Sequence, residues 1–187
     1  MKWRRLLWLL VLLFAGGIFA YCARERQLER SQSTWIRFAA ERYGVDPMLI
    51  KAVVWRESHF NSRAVGLAQE VGLMQLREDS AQEWADAEHI IGFQHEHCFD
   101  PSTNTLAGAW YLKKLLKRYA HTDNPLPYAL ADYNAGRGNV LKWSTGLANT
   151  NSAAFAAQIG FPGTKHYVGS VTRRYALYRF LTRLGWD

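Results

Sequence analysis

An uncharged run of eighteen residues, Leu6 to Ala23, follows Lys2, Arg4 and Arg5 at the amino terminus. At helical rise it spans about 27 Å, close to the ~30 Å hydrocarbon core of a bilayer. It is longer than the apolar region of a secretory signal, about 7–15 residues. It is apolar on every face, so it cannot serve as the one-sided helix of a soluble core. The reading that fits best is an uncleaved signal-anchor over 1–23. The alternatives are a cleaved signal, with Ala20 and Cys22 flanking Tyr21, and a lipid anchor on Cys22, which the bulk of Tyr21 disfavours. Each places the remaining chain outside the cytoplasmic membrane, and the signal-anchor holds it on the outer, extracytoplasmic face.

Composition sharpens this division. The net charge is +7, and 49% of residues are hydrophobic, which excludes a disordered chain. Lys2, Arg4, Arg5, Arg24, Arg26 and Arg30 against Glu25 and Glu29 put +4 in the first thirty residues, leaving +3 for the rest. With no dense basic stripe in the domain, no nucleic-acid partner is expected. Two cysteines cannot build a disulfide framework.

Residues 24–34 read as a short charged stem, and 35–187 as one catalytic domain. Trp35, Ile36, Ala39, Ala40 and Tyr43 follow helical spacing, and Gly44 is a natural stop. Asp46-Pro47 reads as an N-cap with a first-turn proline, opening a helix to about Glu57. Helical patterns recur near 80–87, 104–119, 127–134 and 165–183. Period-two alternation is nearly absent, so the class is mostly α.

The segment PMLIKAVVWRES carries the sharpest chemical signal. Leu49, Ile50, Val53 and Glu57 share one helical face, which places a carboxylate on the stripe that should meet the core. It also lies in the last turn, at the negative end of the helix dipole. Both effects disfavour the anion, so Glu57 should have a raised pKa, as a general acid requires. The structural alternative is a core-edge glutamate paired with Arg56, Arg63 or a backbone donor. Further on, Met74 and Gln75 in VGLMQL, and Tyr133 and Asn134 in ADYNAGRGNV, offer soft apolar, amide and ring surfaces for a polar ligand. An ordinary loop and a glycine-terminated helix explain those segments equally well.

Four segments then occur in a telling order: ERYGVDPMLIKAVVWRESHFNSRAV, VGLMQL, FDPSTNTLAGAWYL and ALADYNAGRGNVLKW. Together, over residues 41–143, they resemble the soluble lytic transglycosylase (SLT) catalytic domain, of lysozyme-like, goose-type fold. FPGTKHYV at 161–168 is a weaker echo. The resemblance implies cleavage of the β-1,4 bond between N-acetylmuramic acid and N-acetylglucosamine in peptidoglycan, leaving 1,6-anhydromuramoyl ends. It implies Glu57 as the acid/base, with Ser58, Met74, Gln75, Tyr133, Asn134 and Tyr167 about the substrate. No cofactor, no metal and a monomeric state are expected. The partners expected are glycan strands and the cytoplasmic membrane. The rival readings are a lysozyme-like hydrolase, with Asp79, Glu70 or Asp132 as second carboxylate, and an inactive peptidoglycan-binding scaffold.

The chain departs from the family pattern at Gly66-Leu67-Ala68-Gln69-Glu70. A serine is usual where Gly66 stands, and a small residue where Glu70 stands. The proline that usually follows the GLMQ motif is absent, with Glu78 near that point. His95, His97 and Cys98 are zinc-ligand types in a spacing that matches no common site, so a solvated loop with a half-buried Cys98 is expected. Lys113, Lys114, Lys117 and Arg118 read as a solvated helix face, as do Arg173, Arg174, Arg179 and Arg183. A wall-polymer or lipid-headgroup contact is the functional alternative for both groups. Trp143 is expected in the core.

Overall fold

The computed structural model describes residues 2–185. Among the described residues eight α-helices follow one another: α1 Lys2–Tyr43, α2 Pro47–Ser58, α3 Glu78–Ala87, α4 Pro101–Arg118, α5 Pro125–Ala135, α6 Arg137–Trp143, α7 Ser152–Gln158 and α8 Pro162–Arg183. Short 3-10 turns lie at His95–Phe99 and Gly146–Asn149. No strand forms among the described residues; Val65 bridges Val71, and Val71 bridges Leu76, within the long α2–α3 connection. The mostly α class holds.

The helix signals work as the sequence predicts. Asp46 Oδ1 accepts from the Met48 N–H at 2.8 Å, which fixes the start of α2 on Pro47. Asp100 Oδ2 caps α4 in the same way through Thr103 N, at 2.8 Å. Gly44, at φ +62°, reverses the chain between α1 and α2. The helices over 137–143 and 152–158 are additions, each too short to show a hydrophobic period.

The helices share one hydrophobic core. Leu49, Ile50, Ala52, Val53 and Val54 of α2 meet Leu112 and Leu115 of α4 and Val168 and Val171 of α8 within one cluster. From Tyr128 to Asp132, α5 is buried on all sides. Tyr128 stacks on Phe155 of α7 with ring centroids 4.0 Å apart, and its hydroxyl donates to the Ala148 carbonyl. Trp143 is buried, as expected.

α1 runs without interruption through the expected boundaries at 23/24 and 34/35. Its apolar run stands clear of the domain, with Leu6 to Phe14 exposed throughout. From Glu25 onward one face docks. Glu29 pairs with Lys51 at 2.6 Å, and Leu28 packs on the core. Residues 24–34 are a helical segment with one face docked on the domain.

One expectation about a polar cluster needs correction. Cys98 is fully buried, not half-buried, and burial pushes its thiol up to about 12. The two neighbouring histidines face apart: His95 Nε2 lies 2.8 Å from the Leu76 carbonyl, and His97 Nδ1 accepts from the Gln94 N–H. The basic run on α4 stays at the surface, with Lys113 and Lys117 exposed, and most of its charges have partners. Lys113 donates to the Gly44 carbonyl, Lys114 pairs with Glu83, and Arg118 with Asp132.

Candidate active site

Glu57 sits in the last turn of α2, where the chain leaves the helix through His59 in the left-handed region at φ 49°. The apolar stripe of Leu49, Ile50 and Val53 runs beneath it, each at most 4% exposed. Glu57 itself opens onto a cleft of about 390 Å³. The α2–α3 connection and the first turn of α3 form one wall, with Glu70, Gln75 and Asp79; α4 and α5 form the other, with Tyr111, Tyr133 and Asn134.

Burial dominates the electrostatics of Glu57. It raises the carboxyl from an ordinary 4.5 to about 7. A hydrogen bond donated by Tyr167 and the nearby positive charge of Arg56 oppose the rise, while the negative charge of Glu70 adds to it. Tyr167 is 2% exposed, and its Oη lies 2.5 Å from Glu57 Oε1. The Arg56 guanidinium stacks 5.5 Å from the Tyr167 ring centroid. A carboxyl balanced near 7 can give a proton and take it back at neutral pH.

The other expected residues divide into those that line the cleft and those that build it. Gln75 lines it, at φ 47°, with its amide donating to the carbonyls of Gly72 at 2.9 Å and Ala64 at 3.1 Å. Tyr133 lines it, and its hydroxyl donates to the Met74 carbonyl at 2.7 Å. Asn134 lines it too, with Oδ1 accepting from Thr164 of α8 at 2.8 Å. Met74 is fully buried and takes no place on the cleft surface. Its sulfur packs so closely on Gly108 that a Cβ there would lie 2.2 Å from it. Ser58 is also buried. Its hydroxyl donates to the Leu73 carbonyl at 2.8 Å, tying the end of α2 to the Gln75 loop. Met74 and Ser58 are therefore placed as supports beneath the cleft.

The largest organiser of that loop lay unmarked within the FDPSTNTLAG segment. Asn104 of α4 is fully buried. Its Oδ1 accepts from the Met74 N–H at 2.8 Å, and its Nδ2 donates to the carbonyls of Val71 at 2.9 Å and Cys98 at 2.8 Å. Gly72, at φ +78°, passes so near that a Cβ would lie 2.2 Å from Asn104 Nδ2. A buried polar residue on an otherwise small, apolar helix face (Ala107, Gly108) was the available signal.

The departure at 66–70 is a paired change. A Cβ on Gly66 would lie 2.3 Å from Glu70 Oε2 and 2.9 Å from Gln75 Oε1. The bare glycine leaves the space that the Glu70 carboxylate occupies, where Oε2 accepts from the Ala68 N–H at 3.0 Å. Asp132, another cleft carboxylate, is 2% exposed and is held by Arg118 at 2.5 Å and Tyr119 Oη at 2.7 Å.

Residues 34–155 match the family model described as the Transglycosylase SLT domain. The chain belongs to this family. Its SLT domain is 38% identical over 108 residues to the membrane-bound lytic murein transglycosylase F of Desulfosudis oleivorans, covering 56% of this chain and 22% of that protein. It is 39% identical over 113 residues to the membrane-bound lytic murein transglycosylase C of Klebsiella pneumoniae, covering 57% of this chain and 31% of that one. Among solved structures, it is similar to an inactive variant of the lytic transglycosylase Slt from Pseudomonas aeruginosa, with a TM-score of 0.72 and 25% identity. That likeness covers 82% of this chain and 24% of the other. The 70 kDa soluble lytic transglycosylase of Escherichia coli gives 0.69 at 26% identity, over 78% of this chain and 24% of that one. The chain thus spans about a fifth to a third of the length of these relatives. The fold is the lysozyme-like one expected from the four ordered segments.

Proposed function

We propose that this SLT domain is a peptidoglycan lytic transglycosylase that cleaves the bond between N-acetylmuramic acid and N-acetylglucosamine and leaves 1,6-anhydromuramoyl ends. The observation that carries the reading is Glu57: a carboxyl raised to about 7, facing a cleft and hydrogen-bonded to a buried tyrosine. The relatives named lytic murein transglycosylases support the substrate class. So does a similar 70 kDa lytic transglycosylase solved with bulgecin A, with a TM-score of 0.69 and 25% identity over 80% of this chain and 24% of that one.

Glu57, protonated, gives its proton to the glycosidic oxygen as the muramyl C1–O bond breaks. The departing sugar leaves as an alcohol, and the substrate's N-acetyl group stabilises the cation at C1. Glu57, now anionic, removes the proton from the C6 hydroxyl, which attacks C1 and closes the anhydro ring. Proton and charge balance without water. The closure is intramolecular, so high effective molarity takes the place of a bound nucleophile.

Hydrolysis usually needs a second carboxylate that holds water, and of the three candidates Asp79 is exposed at the start of α3 beside Arg77, 3.9 Å away. Asp132 is occupied by Arg118 and Tyr119. Glu70 accepts a hydrogen bond from its own loop. Gln75, Tyr133, Asn134 and Tyr167 position the sugar or the acid, with Ser58 and Met74 behind them. α1 anchors the domain on the outer face of the cytoplasmic membrane, and the enzyme works as a monomer without a cofactor.

The test is Glu57→Gln, assayed on purified sacculi. The variant should bind sacculi like the native chain while muropeptide release falls by about 10²-fold or more. Equal release by the two would overturn the role.

A further inference from the structure

The helix that carries the apolar run is the same helix that docks on the domain, so the height of the cleft above a membrane is fixed by register. Burial on α1 begins at Glu25 and Leu28, two and five residues past the run. Glu25 lies 3.7 Å from His59, at the carboxyl end of α2, and Glu29 lies 2.6 Å from Lys51 in its middle. α1 and α2 therefore form an antiparallel pair whose turn at 44–46 is remote from the run. The end bearing Glu57 is close to it. Glu25 is only two residues past the run, about 3 Å of helical rise, so its contact with His59 brings the carboxyl end of α2, with Glu57 two residues before His59, to the level of the headgroup layer, roughly 5–8 Å thick.

The chain leaves α2 at this end, through His59. Its turn is closed by Gly66 N–H to Glu70 O at 2.7 Å and presents Val65 at 55% and Leu67 at 106% exposure. A fully exposed leucine beside Arg63 suits an interface of lipid headgroups and acyl chains. Arg24, Arg26 and Arg30, on the undocked face of α1 at the same level, are exposed cations for anionic headgroups. Resting on the membrane-anchor reading above, we propose that the Arg63–Leu67 turn sits on the headgroups of the bilayer that α1 spans. It thereby holds the cleft over the glycan strand nearest the membrane.

The test uses the full chain in phosphatidylcholine/phosphatidylglycerol vesicles containing headgroup-spin-labelled phosphatidylcholine. An environment-sensitive fluorophore is placed at one cysteine at a time. Cys22, native and exposed, reports the anchor; Cys98 is buried. In a Cys22→Ser background, Leu67→Cys reports the turn. Ile91→Cys is the control: it is 100% exposed but lies by Glu88, which pairs with Arg42 at the remote end of α1. Neither substitution removes packing. The label at 67 should lose more than half its emission and the label at 91 almost none. Quenching at 22 with none at 67 would leave the anchor standing and overturn the inference. No quenching at 22 would remove the anchor and the inference together.

Discussion

Tyr167 and Glu57 are 110 residues apart in sequence and 2.5 Å apart in space. The phenol donates to a carboxyl that burial drives toward neutrality. It stabilises the anion, so it sets how far the pKa rises rather than causing the rise. Burial also pushes the Tyr167 hydroxyl well up, so it remains a donor across the working pH range.

Tyr167→Phe removes that donor and leaves the burial. The Glu57 pKa should rise further, and the alkaline limb of kcat/KM should move to higher pH by about one unit. A pH profile on a soluble muropeptide oligomer checks this. A purely structural tyrosine would lower activity without moving the limb.

The same carboxyl makes stability depend on pH. Glu57 is raised from 4.5 to about 7 on folding, so the folded state holds its proton more tightly. Its contribution to stability is fullest below about pH 4.5 and is lost as pH rises through 7, by up to about 3 kcal/mol. Glu57→Gln cannot ionise. Its Tm should match the native chain near pH 4.5 and exceed it at pH 8, as read by calorimetry at both values.

Asn104→Ala should be the most damaging change outside the cleft. It strands the Met74 N–H and removes the amide that serves the Val71 and Cys98 carbonyls. A loss of about 2–4 kcal/mol is expected in denaturant unfolding. Activity should fall as well, because Gln75 and the carbonyl that receives Tyr133 ride on that loop.

Glu70→Gln separates transglycosylation from hydrolysis. The Glu70 charge raises the Glu57 pKa, so the variant should shift the alkaline limb slightly to lower pH. The products should remain anhydro-ended. Loss of activity by orders of magnitude would assign Glu70 the activation of water.

Much of this arrangement was legible in the sequence because it is local. Asp46-Pro47 marks the start of α2, and the spacing of Leu49, Ile50, Val53 and Glu57 places a carboxylate on a core-facing stripe. What escaped is long-range. Nothing near Asn104 announces that it spans Val71, Met74 and Cys98. Thr164 meeting Asn134, and Arg118 with Tyr119 meeting Asp132, depend on how α4, α5 and α8 pack. The motif residues Ser58 and Met74 show the same limit. A motif gives their importance, but only packing shows that they stand behind the cleft surface.

The central claim is that one carboxyl, shuttling a single proton, releases the glycan without water. Mass spectrometry of the fragments released from sacculi by the native chain tests it most directly. The account predicts muramic termini in the 1,6-anhydro form. Reducing termini, heavier by one water, would contradict it.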